Sequence, residues 1–266
     1  MGNSPHCCST DGDCERCTSV SKEAVFESGS KESALRYPCD GQGEDPESLY
    51  ATMPEATRSS ASSMVRDGGR YVGDVQRGEA HGWGRCELPS GEVYEGEWRH
   101  NKANGRGTYH YANGARYTGD WLDDKPHGIG EEVWSDGAVY RGQYVDGVKS
   151  GVGELIGADG STYRGGFANN ELQGHGWYRW PDGREYDGQW VASRKAGKGK
   201  FMWKDGRTYD GQYEDDERSG EGRFTWPDGR MYEGQFKAGK QDGKGVFVNH
   251  QGGRISGVWS CGKRIE

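Results

Sequence analysis

Aliphatic side chains are scarce in this 266-residue sequence: 6 Leu, 4 Ile, 15 Val and 6 Phe make up about 12 % of it, below the roughly 20 % that a conventional apolar core needs. That excludes a globin-like bundle and a doubly wound α/β enzyme. Long apolar runs are absent too: nothing approaches the ~18 residues of a membrane span, and the N-terminus lacks the apolar stretch of a signal peptide. The chain therefore reads as intracellular. Basic excess is missing, since 34 Lys and Arg face 42 Asp and Glu for a net charge of -8, so nucleic acid is excluded as a partner. Cysteines number 7, and only Cys86 and Cys261 lie beyond residue 40, which argues against a disulfide scaffold. What abounds is glycine, 47 residues, together with 10 Trp, 15 Tyr and 6 Phe, and aromatics in that number are foreign to disordered chains.

A single period accounts for both excesses. Tyr71, Tyr94, Tyr117, Tyr140, Tyr163, Tyr186, Tyr209 and Tyr232 follow one another at 23 residues, and Ile255 takes the ninth place. Numbering each repeat from its Tyr, Gly stands at +2, an aromatic at +4 in all but the first repeat, a G-x-G pair at +11 and +13, and a further Gly three residues before the next Tyr. Alternation puts 0, +2 and +4 on one face of a strand, and +11, +13, +15 and +17 on one face of the next. Each repeat is thus expected to be two short strands, joined by a charged loop at +5 to +10 and returned by an Asp-Gly or Asn-Gly turn. Seventeen such strands, about 4.8 Å apart, would make a ribbon on the order of 80 Å long. A single sheet must cover its own face, and Tyr and Trp lying across glycine backbone can do so.

The strings Y-x-G-x-W, G-x-G and D-G at this step resemble the MORN (membrane occupation and recognition nexus) repeat family. The resemblance covers residues 66–266 as eight full repeats and a ninth half. It implies an all-β, elongated, single-layer antiparallel hairpin ribbon that docks proteins and sometimes lipids, often at membranes, cytoskeletal structures or cilia. Neither a kinase nor a methyltransferase domain, to which some relatives append the array, is expected here.

Residues 1–65 are polar, Ser-rich and without Trp, as a disordered tail would be. They open Met1-Gly2-Asn3-Ser4-Pro5-His6-Cys7-Cys8: Gly2 suits N-myristoylation, although His6 stands where Ser or Thr is usual, and Cys7 and Cys8 suit S-palmitoylation. One acyl chain holds a membrane only marginally, and the acids at Asp11, Asp13 and Glu15 supply no basic patch, so a second chain is expected. The alternatives are an unmodified tail or a zinc knuckle of Cys7 or Cys8 with Cys14, Cys17 and His6.

Signals of enzyme chemistry dissolve into the repeat. The G-x-G pairs recur eight times with no following helix, Arg264 stands where a phosphate loop needs Ser or Thr, and the histidines show no ligand spacing. No catalytic residue, metal or cofactor is expected. The expected function is that of a non-enzymatic scaffold on the cytoplasmic face of a membrane, or near the cytoskeleton, docking a helix or extended segment of a protein partner. Three surfaces are candidates. The first is an aromatic groove around Tyr117, Trp121, Trp134, Tyr163, Trp180, Trp190 and Trp203. The second is an apolar patch of Ile129, Val133, Val139, Val152 and Ile156 on the outer face, suited to a partner or a second copy of the chain. The third is a basic stripe expected on the outer face, Arg179, Arg184, Lys198, Lys200, Arg207, Arg223 and Arg230, through which the repeats would bind anionic phospholipid.

Overall fold

The computed structural model describes residues 62–66 and 68–266, with side chains from Gly68 onward. The expected acylation sites Gly2, Cys7 and Cys8, with residues 1–61 of the expected tail, lie outside the described residues. Among those residues there is no helix, and every strand pairing is antiparallel. The N-terminal half holds β1 (Ser62–Arg66), β2 (Gly69–Gln76), β3 (Glu79–Glu87), β4 (Val93–Arg99), β5 (Lys102–His110), β6 (Arg116–Leu122), β7 (Lys125–Val133), β8 (Val139–Val145) and β9 (Val148–Ile156). The C-terminal half holds β10 (Thr162–Ala168), β11 (Glu171–Arg179), β12 (Glu185–Val191), β13 (Arg194–Met202), β14 (Thr208–Glu214), β15 (Glu217–Thr225), β16 (Met231–Lys237), β17 (Lys240–Val248), β18 (Arg254–Ser260) and β19 (Lys263–Arg264). Within each half, consecutive strands pair in a meander, two strands to a repeat.

The glycine excess has a steric cause. Gly119 in β6 pairs with Gly130 in β7, and a Cβ on Gly119 would come within 2.5 Å of the Gly130 Cα. A Cβ on Gly130 would land in the Tyr117 ring, which lies across that bare backbone and donates from its hydroxyl to the Asp120 carbonyl at 2.9 Å. The same placement recurs in every full repeat, so the eight tyrosines are at most 4 % exposed.

Register breaks once per repeat, just after the paired glycines. In β6 and β7, Gly119 opposes Gly130 but Asp120 opposes His127, which leaves Gly128 and Ile129 as a bulge. Gly128 sits at φ 60°, and the Asp120 carboxylate accepts the Ile129 N–H at 3.0 Å. Asp, Glu or Gln at +3 makes this bond in seven repeats; in the fifth, Gly166 holds the position. The bulge brings +9, rather than +11, opposite +4 on the aromatic face, as Tyr144 against Lys149 shows.

The loop expected at +5 to +10 is tighter than the sequence suggests. The turn itself is the two residues at +6 and +7, both left-handed, as at Asp123 (φ 47°) and Asp124 (φ 67°). Asp124 also ties one repeat to the one before: its carboxylate accepts the Ala103 N–H at 2.7 Å and its own N–H donates to the Ala103 carbonyl at 3.0 Å. At the opposite strand ends, Asp136 caps a return turn by accepting the Ala138 N–H. The sheet also begins earlier than residue 66: β1 pairs with β2, Met64 opposite Tyr71, and its Ser-Ser-Met-Val-Arg sequence carries none of the repeat's marks.

Candidate docking site

On the aromatic face of each half, ring edges meet ring faces in a zigzag. In the N-terminal half, Tyr94 touches Trp98 of its own repeat (5.0 Å between centroids) and Trp121 of the next (5.1 Å), and Tyr117 likewise touches Trp121 and Tyr144. In the C-terminal half, Tyr163 touches Phe167 and Trp190, Tyr186 touches Trp190 and Tyr213, and the pattern runs on to Trp259. Trp121 and Trp190 each donate Nε1–H to a glycine carbonyl of the preceding repeat at 3.1 Å.

This ladder consumes most of the expected groove. Tyr117, Trp121, Tyr163, Trp180 and Trp190 are all buried within the sheet's own packing. Trp134 and Trp203 are half-exposed, as is Trp226. These three stand at +17, at the strand ends, in a second aromatic column that in the C-terminal half runs Tyr178, Trp180, Phe201, Trp203, Phe224, Trp226 with centroids 4.5 to 5.3 Å apart.

Cations are set into this face at +9, a position expected to lie in the charged loop rather than in a strand. Lys149 points its ammonium at the rings of Trp134 (4.7 Å), Tyr140 (5.2 Å) and Tyr144 (5.6 Å) and pairs with Glu132 at 2.7 Å. Glu132 occupies +15, the position of Tyr109 or Phe201 in other repeats, and also accepts from the Tyr144 hydroxyl at 2.9 Å. Lys195 lies over Trp180, Phe201 and Tyr213, and Arg218 over Trp203 and Phe224. The signal that could have placed them was the parity of +9, which it shares with the glycines at +11 and +13, once the turn is confined to +6 and +7.

The basic stripe divides between two faces. Arg179, Lys198, Lys200 and Arg223 lie on the outer face, where Arg179 pairs with Glu185 and Arg223 with Glu233. Arg184, Arg207 and Arg230 lie on the aromatic side, stacked on Trp180, Trp203 and Trp226. The outer apolar patch also divides. Val133, Val139 and Ile156 stand in one row across β7, β8 and β9, while Ile129 and Val152, 43 % and 50 % exposed, flank Gln143 in another. Between the rows runs a charged one in which Glu131 bridges Arg116 and Arg141.

Burial holds the tyrosine hydroxyls protonated. It raises Tyr111, helped by the charges of Glu132 and Glu92, to about 12, and Tyr232, helped by Glu221 and Asp242, to about 12. Tyr117, Tyr140, Tyr163 and Tyr186 are raised further for the same first reason. Since the unfolded chain ionises near the ordinary value of 10, this stability is complete below pH 10 and is lost as pH climbs through 10 to 12. Alkaline titration should therefore show tyrosinate absorbance appearing late and together with loss of the sheet signal in circular dichroism. Ionisation centred at pH 10 in the folded chain would contradict it.

Among curated proteins no match is found. Similar solved structures include the wild-type TCP10 domain of Danio rerio CPAP, 13 % identical over 73 % of this chain and 91 % of that one, with a TM-score of 0.42. Another is that domain in complex with a peptide of Danio rerio STIL, 14 % identical over 75 % and 100 %, TM-score 0.39. A third is the SAS-4 TCP domain with a proline-rich motif of Ana2 of Drosophila melanogaster, 15 % identical over 61 % and 96 %, TM-score 0.34. Likeness at this level carries no conclusion about partners. The MORN repeat model matches at residues 71–93, 94–116, 117–139, 140–162, 163–183, 186–206, 209–229 and 232–254. With the Tyr, Gly and aromatic positions of each repeat locked into one recurring geometry, the chain belongs to the MORN repeat family and is a repeat scaffold.

Proposed function

We propose that this scaffold is a non-enzymatic adaptor, tethered by its acylated N-terminus to the cytoplasmic face of a membrane, that docks a protein partner on the aromatic face. The observation that carries the docking is the partial exposure of Trp134, Trp203 and Trp226 at the +17 edge of a face whose 0 and +4 aromatics are buried. Tryptophan offers large contact area for little lost conformational freedom and dominates binding hot spots. The test compares captured proteins from cells expressing the full chain, Trp134→Ala or Val133→Glu, neighbours on opposite faces, with circular dichroism confirming that each variant is folded. A partner weakened at least 10-fold by Trp134→Ala alone supports the aromatic face, in keeping with a hot-spot effect of about 2 kcal/mol. Loss confined to Val133→Glu moves the site to the outer face.

The tether rests on Gly2, Cys7 and Cys8. Gly2→Ala should release the protein to the soluble fraction, and Cys7→Ser with Cys8→Ser should leave only weak attachment, because one myristoyl chain holds marginally. Unchanged fractionation of both variants would transfer membrane binding to the repeats.

A further inference from the structure

We infer that Arg218, in the aromatic face of the C-terminal half, is an anchor for a carboxylate side chain of the docked protein partner. This deepens the docking reading above and rests on it. Four rings surround its guanidinium: Trp203 at 5.6 Å, Tyr209 at 5.8 Å, Phe224 at 5.4 Å and Phe236 at 5.9 Å. Among the described residues no carboxylate pairs with it, and its Nε is buried with no hydrogen-bond acceptor.

That is a costly state for a charged group. Buried donors in folded proteins are nearly always hydrogen-bonded, and a cation withdrawn from water calls for a counter-charge. The negative faces of the rings offset part of the cost, yet they leave the in-plane N–H donors without acceptors. An incoming carboxylate would supply both the charge and the acceptors.

A second cation on the same face shows what Arg218 lacks. Lys149 also stands at +9, and Trp134 and Tyr140 hold around it the repeat positions that Trp203 and Tyr209 hold around Arg218. Lys149 is paired at 2.7 Å with Glu132, which comes from +15 of the preceding repeat. For Arg218 the residue at that position is Phe201, a buried ring. The chain thus provides a carboxylate beside Lys149 and none beside Arg218. This internal precedent favours a carboxylate over a phosphate.

The guanidinium is also within reach. Arg218 is partly exposed, and since Nε is its one buried atom without an acceptor, the two Nη atoms extend to the surface. Together they present the end of the fork, which matches a carboxylate through two parallel N–H···O bonds. The surrounding rings hold the side chain in place before the partner arrives, so binding forfeits little of its rotamer freedom.

The test is an NMR titration of the full chain with a capped Leu-Glu-Leu peptide and with its Leu-Gln-Leu counterpart. The reporters are the Arg218 Nε–H resonance, identified by its absence from Arg218→Gln, and the Trp203 indole N–H. The glutamate peptide should shift both saturably and bind at least about 5-fold more tightly than the glutamine peptide, and Arg218→Gln should remove the difference. Equal affinity of the two peptides, or no saturable shift with either, overturns the inference. Because that comparison uses the unaltered protein, it holds even if Arg218→Gln misfolds. A response to vesicles of anionic phospholipid, with none to the glutamate peptide, overturns it too and assigns the site to lipid. Should the peptides fail while a cellular partner still depends on Trp134, the docking reading stands and the carboxylate anchor falls.

Discussion

Gly222→Ala is expected to unfold its repeat, whereas Gly229→Ala, a few residues away, is expected to be tolerated. A Cβ on Gly222 would lie within 2.6 Å of two Tyr209 ring carbons and closer still to its hydroxyl. The ring cannot yield, being fully buried between Tyr213 at 5.2 Å and Phe236 at 4.9 Å. Expelling it forfeits its burial and leaves both neighbours open, comparable to deleting a core aromatic, about 3 to 5 kcal/mol. At Gly229 a Cβ meets nothing within 4 Å, and the cost is that of a left-handed backbone (φ 85°), about 1 to 2 kcal/mol. Urea unfolding followed by circular dichroism should separate the two variants. Equal midpoints would mean that the tyrosine does not depend on bare backbone beneath it.

The second large effect lies at Glu132 and Lys149, whose side chains are 18 % and 12 % exposed. Lys149→Met alone leaves a carboxylate among Tyr144, Tyr140 and Trp134 with its cation gone, and breaking such a pair costs about 3 kcal/mol. Combining it with Glu132→Leu removes both charges together. The neighbouring rows show that this face accepts apolar residues at both positions, Leu155 at +15 and Leu172 at +9. The double variant should therefore regain most of the loss and can exceed the parent in stability. A double variant as weak as the single one would show that the pair's shape, not its charge balance, holds the site.

The strand order, the aromatic face and the use of glycine were legible in the sequence because a period repeated eight times leaves little room for another reading. The bulge was not, and the loop expected at +5 to +10 took +9 out of the strands altogether, although +9 keeps the parity of +11 and +13 across a two-residue register shift. Lys149, Lys195 and Arg218 went unseen for that reason. Arg184, Arg207 and Arg230 were misplaced for a different one: grouped by charge with Arg179 and Lys198, they escaped the same even-numbered count that puts Trp180 and Trp203 on the aromatic side. The groove was overestimated because sequence shows how many aromatics share a face but not how completely they cover one another.

The zigzag also sets a rule for how such chains lengthen. Within each half, a Tyr packs on the +4 aromatic of its own repeat, Val75 in the first repeat excepted, and on that of the following one, so Tyr232 needs Trp259, at 5.0 Å, but Trp259 needs no Tyr after it. Ile255, 41 % exposed, accordingly stands where the ninth tyrosine would be, and at the other end β1 pairs with the strand that carries Tyr71. The ends are fixed pieces and the middle is interchangeable. Duplication of a 23-residue segment that starts at Tyr94 or a later tyrosine would insert a repeat with the ring neighbours it requires. Gene slippage can therefore change the number of repeats in one step without a non-viable intermediate, whereas loss of the terminal half-repeat would bare the last tyrosine at once.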